Sequence, residues 1–192
     1  SLGYIFAQQE KYLQASQLFE EIFEVYRQDN NFILDFTKLL NHLNQPERIV
    51  QNLWQFYQEK SKNVPILLTL AKALERSGQS VKAISVYEEL IKTHPHSPDF
   101  LNSLGALHFT SKDYDHAKTK FEQALKLDPE HANARSNLGN TLHMMKQLDP
   151  AEKILREAVA KDPLNALSYN HLAALLVTRG RLKEAHQNFS KA

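Results

Sequence analysis

The chain has no cysteine, which removes disulfides, thiolate zinc centres, iron–sulfur ligation and a cysteine nucleophile together. Glycine and proline are scarce, at five and seven in 192 residues. They punctuate apolar-periodic stretches, as expected for short helices joined by tight turns. No apolar run reaches the ~18 residues that span a bilayer, and the opening SLGYIFAQQEKY lacks the basic flank and cleavage pattern of a signal peptide. Neither sign of charge dominates: the net charge is +1, so no basic face stands ready for phosphates or anionic lipid. The expectation is a soluble, ordered, all-α chain with no membrane insertion and no nucleic-acid partner. The compartment stays open, with the cytoplasm slightly favoured.

Local signatures of chemistry are missing as well. There is no Gly-x-x-x-x-Gly-Lys-[Ser/Thr] phosphate loop and no His-Glu-x-x-His pair, so neither catalysis nor a cofactor or metal is expected. Adjacent carboxylates such as Glu20 with Glu21 and Glu88 with Glu89 do not face one another on a helix and read as surface charge. His94 and His96 in THPHSP, with His131, read as loop histidines rather than zinc ligands. His108 falls in an apolar column and reads as a partly buried, hydrogen-bonded histidine. Trp54 reads as a core or repeat-edge contact.

What the chain does have is self-similarity at a fixed offset of 34 residues, the step from Leu70 to Leu104. One column reads Leu2, Phe36, Leu70, Leu104, Leu138, Leu172, and the next reads Gly3, Thr37, Ala71, Gly105, Gly139, Ala173. Further on, Ala15, Ile49, Ala83, Ala117, Ala151 and Ala185 align, followed four residues later by Phe19, Leu53, Tyr87, Phe121, Leu155 and Phe189. Pro95, Pro129 and Pro163 close three successive repeats. Leu101, Leu104, Gly105 and His108 share one face of a first helix, and Ala117, Phe121 and Ala124 one face of a second. Small columns let two helices approach closely, while large columns fill the space beside them. One hairpin cannot bury its own apolar face, so successive hairpins must stack.

The pattern L-G-x-x-Y, A-x-x-x-F, P at this period resembles the tetratricopeptide repeat and covers the whole chain, best in SLGALHF, NLGNTLH and HLAALLV with the segments that follow them. The resemblance implies a right-handed α-solenoid of antiparallel helical hairpins in a single array. Its repeats are 1–29 (partial), 30–63 (divergent), 64–97, 98–131, 132–165 and 166–192 (partial). In repeat 30–63, Ile49 and Phe56 replace small residues and Ser61 stands where proline is expected.

The resemblance also implies that first helices line a concave wall that holds a protein or extended peptide. The residues expected there are Lys72, Arg76, Asn102, Phe109, Asn133, Ser136, Asn137, Asn140, His143, Asn170 and His171. Asparagine amides both donate and accept, so a row of them can satisfy a peptide backbone whatever its side chains. Relatives that clamp chaperone C-terminal carboxylates use a Lys/Asn/Arg set. The matching places here hold Asn102 and Ala106, Asn137, then Leu167 and His171, so only Asn137 agrees and no such clamp is expected. Ser136–Asn140 is similar to one rung of the asparagine ladder in the nucleocytoplasmic sugar transferase, but Asp35, Thr69 and Ser103 break the series.

The chain begins inside one repeat and stops inside a second helix without a polar capping helix, which reads as a slice of a longer protein. The expected role is a protein–protein interaction scaffold or adaptor. The alternative is the substrate-recruiting arm of a larger enzyme such as a glycosyl or sulfo transferase. Apolar ends at Leu2 and Phe189 offer a route to self-association.

Overall fold

The structure, a computed structural model, describes residues 11–59 and 63–192; the expectations for Leu2, Gly3 and Ser61 lie outside the described residues. Twelve helices and no strand occur among these residues: α1 Tyr12–Glu21, α2 Phe23–Tyr26, α3 Asn30–His42, α4 Pro46–Gln58, α5 Val64–Arg76 and α6 Ser80–Thr93 come first. They are followed by α7 Pro98–Thr110, α8 Tyr114–Leu127, α9 Ala132–Met144, α10 Leu148–Lys161, α11 Ala166–Thr178 and α12 Leu182–Phe189. The fold is all-α, with helices packed in consecutive pairs.

The 34-residue step governs the helix ends as strictly as it governs the columns. First helices α3, α5, α7, α9 and α11 are each 13 residues long. Each starts behind a capping side chain in the same register: Asp29, Asn63, Ser97, His131 and Asn165 accept backbone N–H bonds from the first turn. Such a cap satisfies a donor that the helix itself leaves unpaired, worth about 1 kcal/mol. At the other end, Asn44, Gly78, Lys112, Lys146 and Gly180 all take positive φ, between 53° and 73°. The residue after each one bonds back across the turn, as in Asp113 N to His108 O and Gln147 N to Leu142 O, both at 2.9 Å. These bonds close the helix in a Schellman-type turn and reverse the chain within three residues.

The chain divides into two compact units, the first ending at Leu90 and the second running from Ile91 to Ala192. In the first, an aromatic cluster anchors the core: Phe19 stacks on Phe36 at 5.5 Å and on Phe32 at 5.0 Å, with Phe23 tilted against both partners. Divergent repeat 30–63 is accommodated here. Ile49 is fully buried, Thr37 in the glycine column returns its hydroxyl to Leu34 O at 2.9 Å, and Phe56 lies under the Arg27 guanidinium. Trp54 is partly buried against Tyr57, with Lys82 Nζ 4.9 Å above its ring. Fully buried Tyr87 donates its hydroxyl to Glu75 at 2.5 Å, and burial raises the Glu75 carboxyl above its ordinary value.

In the second unit the core runs through Phe121, Leu138, Leu142, Leu155, Leu172 and Leu176. Its geometry explains the small columns. A Cβ built on Gly105 would lie 2.7 Å from Phe121 Cε1, and one on Gly139 would lie 2.5 Å from Leu155 Cγ. Both distances are well inside the ~3.5 to 4.0 Å of ordinary carbon contact. The large side chain of the second helix therefore seats directly on the glycine of the first, with Ala117 and Ala151 fully buried beside it. Arg181 adds ion pairs to Glu152 and Glu184, both at 2.6 Å, though such exposed pairs contribute little.

Candidate functional site

Within the second unit, α7, α9 and α11 are successive first helices, and α9 packs against both of the others. Side chains on this wall pair across repeats at a spacing of 35 residues, one beyond the repeat period. Asn137 Nδ2 donates to Asn102 Oδ1 at 3.0 Å, Ser136 Oγ meets His171 Nδ1 at 2.9 Å, and His143 Nε2 meets Thr178 Oγ1 at 2.8 Å. A second set spans 32 residues: Asn165 Nδ2 donates to Asn133 Oδ1 at 3.3 Å, and His131 Nε2 lies 3.2 Å from Asp99. Much of the polar row expected to face a partner thus joins neighbouring repeats.

Ser136 is the plainest correction. It is fully buried, because His171 of the next first helix covers it, so it offers nothing to a partner. Asn170, one repeat later in the same column, is exposed. His171 is itself largely buried, and desolvation holds its imidazole below the ordinary value of 6.5 despite the bond to Ser136 O. Desolvation likewise lowers His143, helped by the Lys146 charge. Both rings are therefore neutral near pH 7, tied into the wall rather than offered as cations.

Among the residues expected on the wall, the Asn140 and Asn170 side-chain amides make no hydrogen bond among the described residues, and Asn133 keeps its NH2 group while its oxygen accepts from Asn165. Asn140 lines a cavity of about 100 Å³ with Asn137, Ala106, Phe109, Thr110 and Phe121. Phe109 is partly buried, its ring 5.4 Å from Tyr114. Met144, Val177 and Leu167 on the same helices are 44%, 47% and 39% exposed. The two remaining residues lie in the first unit on α5. Lys72 is exposed, and Arg76 spends its guanidinium on Asn41 at 2.5 Å and Asn44 at 2.6 Å, which secures α5 to the end of α3.

The one group of three metal-capable side chains among the described residues is His108, Asp113 and His116 in the α7–α8 turn. It does not include His94, His96 or His131. His131 is a helix cap, its Nδ1 accepting from Ala134 N at 3.1 Å. The Asp113 carboxyl is drawn below its ordinary value, chiefly by the hydrogen bond from His116.

Two family models described as tetratricopeptide repeat match residues 64–107 and 108–176. No curated protein matches the sequence. Among solved structures, a tetratricopeptide repeat protein from Parabacteroides merdae is 18% identical, with 98% of this chain and 75% of that one covered at a TM-score of 0.83. MamA from Desulfovibrio magneticus is 22% identical, covering 84% and 91% at a TM-score of 0.71. YrrB, described as having an unusual peptide-binding site, is 17% identical, covering 92% and 91% at a TM-score of 0.65. At these identities the likeness is one of fold.

Proposed function

Since this chain belongs to the tetratricopeptide repeat family, we propose that it is a non-catalytic protein-interaction scaffold whose second unit holds an extended peptide segment along α7, α9 and α11. The observation that carries this reading is the pairing of free amides with apolar surface. Asn140 and Asn170 each present a donor and an acceptor with no internal partner, which suits a peptide backbone. The cavity beside Asn140 is lined by Ala106, Phe109 and Phe121 and takes a small apolar side chain of the segment. Met144 and Val177 extend the apolar contact, and methionine adapts to several shapes. The accessible polar side chains of the wall are amides, hydroxyls and neutral imidazoles, with Asp99 the charged exception, since Arg135 of α9 is buried. An uncharged segment therefore suits it better than an acidic one, in keeping with the missing carboxylate clamp.

The test selects peptides from a random display library against the whole chain and measures their affinities for paired variants. Asn140→Ala/Asn170→Ala removes two neutral hydrogen bonds worth ~0.5 to 1.5 kcal/mol each, so affinity should fall roughly 5-fold or more. Lys126→Ala/Glu157→Ala, on the second helices α8 and α10, should leave it unchanged. Equal affinity in the first pair with loss in the second moves the site to the other face.

A further inference from the structure

We propose that His108, Asp113 and His116 form a binding site for a borderline divalent cation such as zinc, with Nδ1 of both imidazoles and Oδ2 of the carboxylate as ligands. Asp113 Oδ2 lies 3.2 Å from His108 Nδ1 and 2.8 Å from His116 Nδ1. One ligand atom from each of the three residues lies within 4.8 Å of the others. Ligands at the ~2.0 to 2.1 Å bond lengths of a tetrahedral zinc site stand about 3.3 Å apart. The two nitrogen–oxygen separations, 3.2 and 2.8 Å, are thus near the edge length of that tetrahedron, and small side-chain rotations bring the ligands to a common centre. Two imidazole nitrogens and one carboxylate oxygen suit zinc, cobalt, nickel and copper better than calcium or magnesium. The fourth position faces outward, since the His116 side chain is 67% exposed.

The division of labour in the turn favours the same reading. Asp113 Oδ1 caps α8 by accepting from His116 N and also lies 2.9 Å from His116 Nδ1, while Oδ2 faces both imidazoles and is the oxygen placed to hold the ion. His108 stands in the last turn of α7, where the carbonyl end of the helix dipole favours a cation. In the apo form the two Nδ1 atoms donate to the carboxylate. On binding, each imidazole gives up its Nδ1 proton, carries its remaining N–H on Nε2 by exchange with solvent, and turns the freed Nδ1 lone pair to the metal.

The other repeats act as internal controls. The place of His108 is held by Leu40, Leu74, Leu142 and Leu176, all buried, and that of Asp113 by glutamine in three of four cases. None of these repeats has a histidine at the place of His116. Packing alone therefore calls for leucine at 108. Three departures fall in one repeat and converge on one point, where an imidazole in a leucine column gains a partner that leucine would not need.

The test titrates the untagged full chain with Zn2+ by calorimetry and with Co2+ by visible absorption. The wild type should bind one equivalent. His116→Gln, at an exposed position, and Asp113→Asn, which preserves the helix cap, should each weaken binding about ten-fold or more, with unchanged circular dichroism. His94→Gln/His96→Gln should bind as the wild type does, and the Nδ1 resonances of His108 and His116 should move with added zinc. The proposal is overturned if the wild type shows no binding up to millimolar Zn2+. It is equally overturned if binding survives both cluster variants or disappears with His94 and His96.

Discussion

Replacing Gly105 by alanine sets two opposed effects against each other. Alanine inside a helix is favoured over glycine by about 0.5 to 1 kcal/mol, so an unhindered Gly105→Ala would stabilise α7. The new Cβ, however, would meet Phe121 Cε1 at 2.7 Å, Cδ1 at 2.9 Å and Cζ at 3.0 Å. Phe121 is fully buried, so its ring has no solvent to swing into and α8 must move instead. Overpacking of this kind costs ~1 to 3 kcal/mol, which leaves a net effect between about zero and a loss of about 2.5 kcal/mol. Urea unfolding of the wild type, Gly105→Ala, Phe121→Val and the double variant gives a complete thermodynamic cycle. With the ring trimmed to valine, the added methyl should become neutral or favourable, so the two sites couple. If Gly105→Ala alone raises stability by the helix-propensity increment, and does so equally in the Phe121→Val background, the reasoning about close helix approach is wrong.

Other outcomes follow from the same geometry. Lys146 holds the left-handed turn position that Gly78 and Gly180 hold elsewhere, and a side chain there costs ~1 to 2 kcal/mol. Lys146→Gly should therefore stabilise the chain by up to about 1 kcal/mol in urea unfolding, and a destabilised variant contradicts the assignment. Desolvation lowers the folded-state His171 imidazole below 6.5, so the unfolded chain binds the proton more readily. Its stabilising contribution should be complete above that value and decline as pH falls through it toward the folded-state value. The unfolding midpoint should consequently drop more between about pH 7.5 and 5.5 in the wild type than in His171→Asn, which keeps a donor toward Ser136 but does not titrate. Equal drops would remove His171 from the pH response.

The sequence and structure agree most closely where a property belongs to a column. The 34-residue offset locates all five described first helices because the large and small positions that define it are set by hairpin packing. Asp29, Asn63, Ser97 and Asn165 are residue types usual at helix caps, a signal the column reading leaves unused; His131 carries no such signal, because histidine seldom caps and the role depends on its ring reaching Ala134 N. The wall is only half legible. That Asn102, Asn137, His143 and His171 share a face follows from the helical period, but which of them bond across to the next repeat depends on the rotation and offset between α7, α9 and α11. That is why Ser136 is buried beneath His171 while Asn170, in the same column, remains exposed. The His108–Asp113–His116 cluster has a signal in the sequence, a histidine in a leucine column, but its meaning depends on the turn at Lys112 folding Asp113 back onto it.

The central claim is that a partner segment lies along the first helices of the second unit and bonds to the unpaired amides. Side-chain 15N–1H resonances of asparagine report this directly when a library-selected peptide is titrated into the labelled chain. The NH2 signals of Asn140 and Asn170, and that of Asn133, should shift progressively with peptide, while backbone signals around Lys126 and Glu157 stay in place. Shifts confined to α8 and α10, with the Asn140 and Asn170 amides unmoved at saturation, would contradict the account.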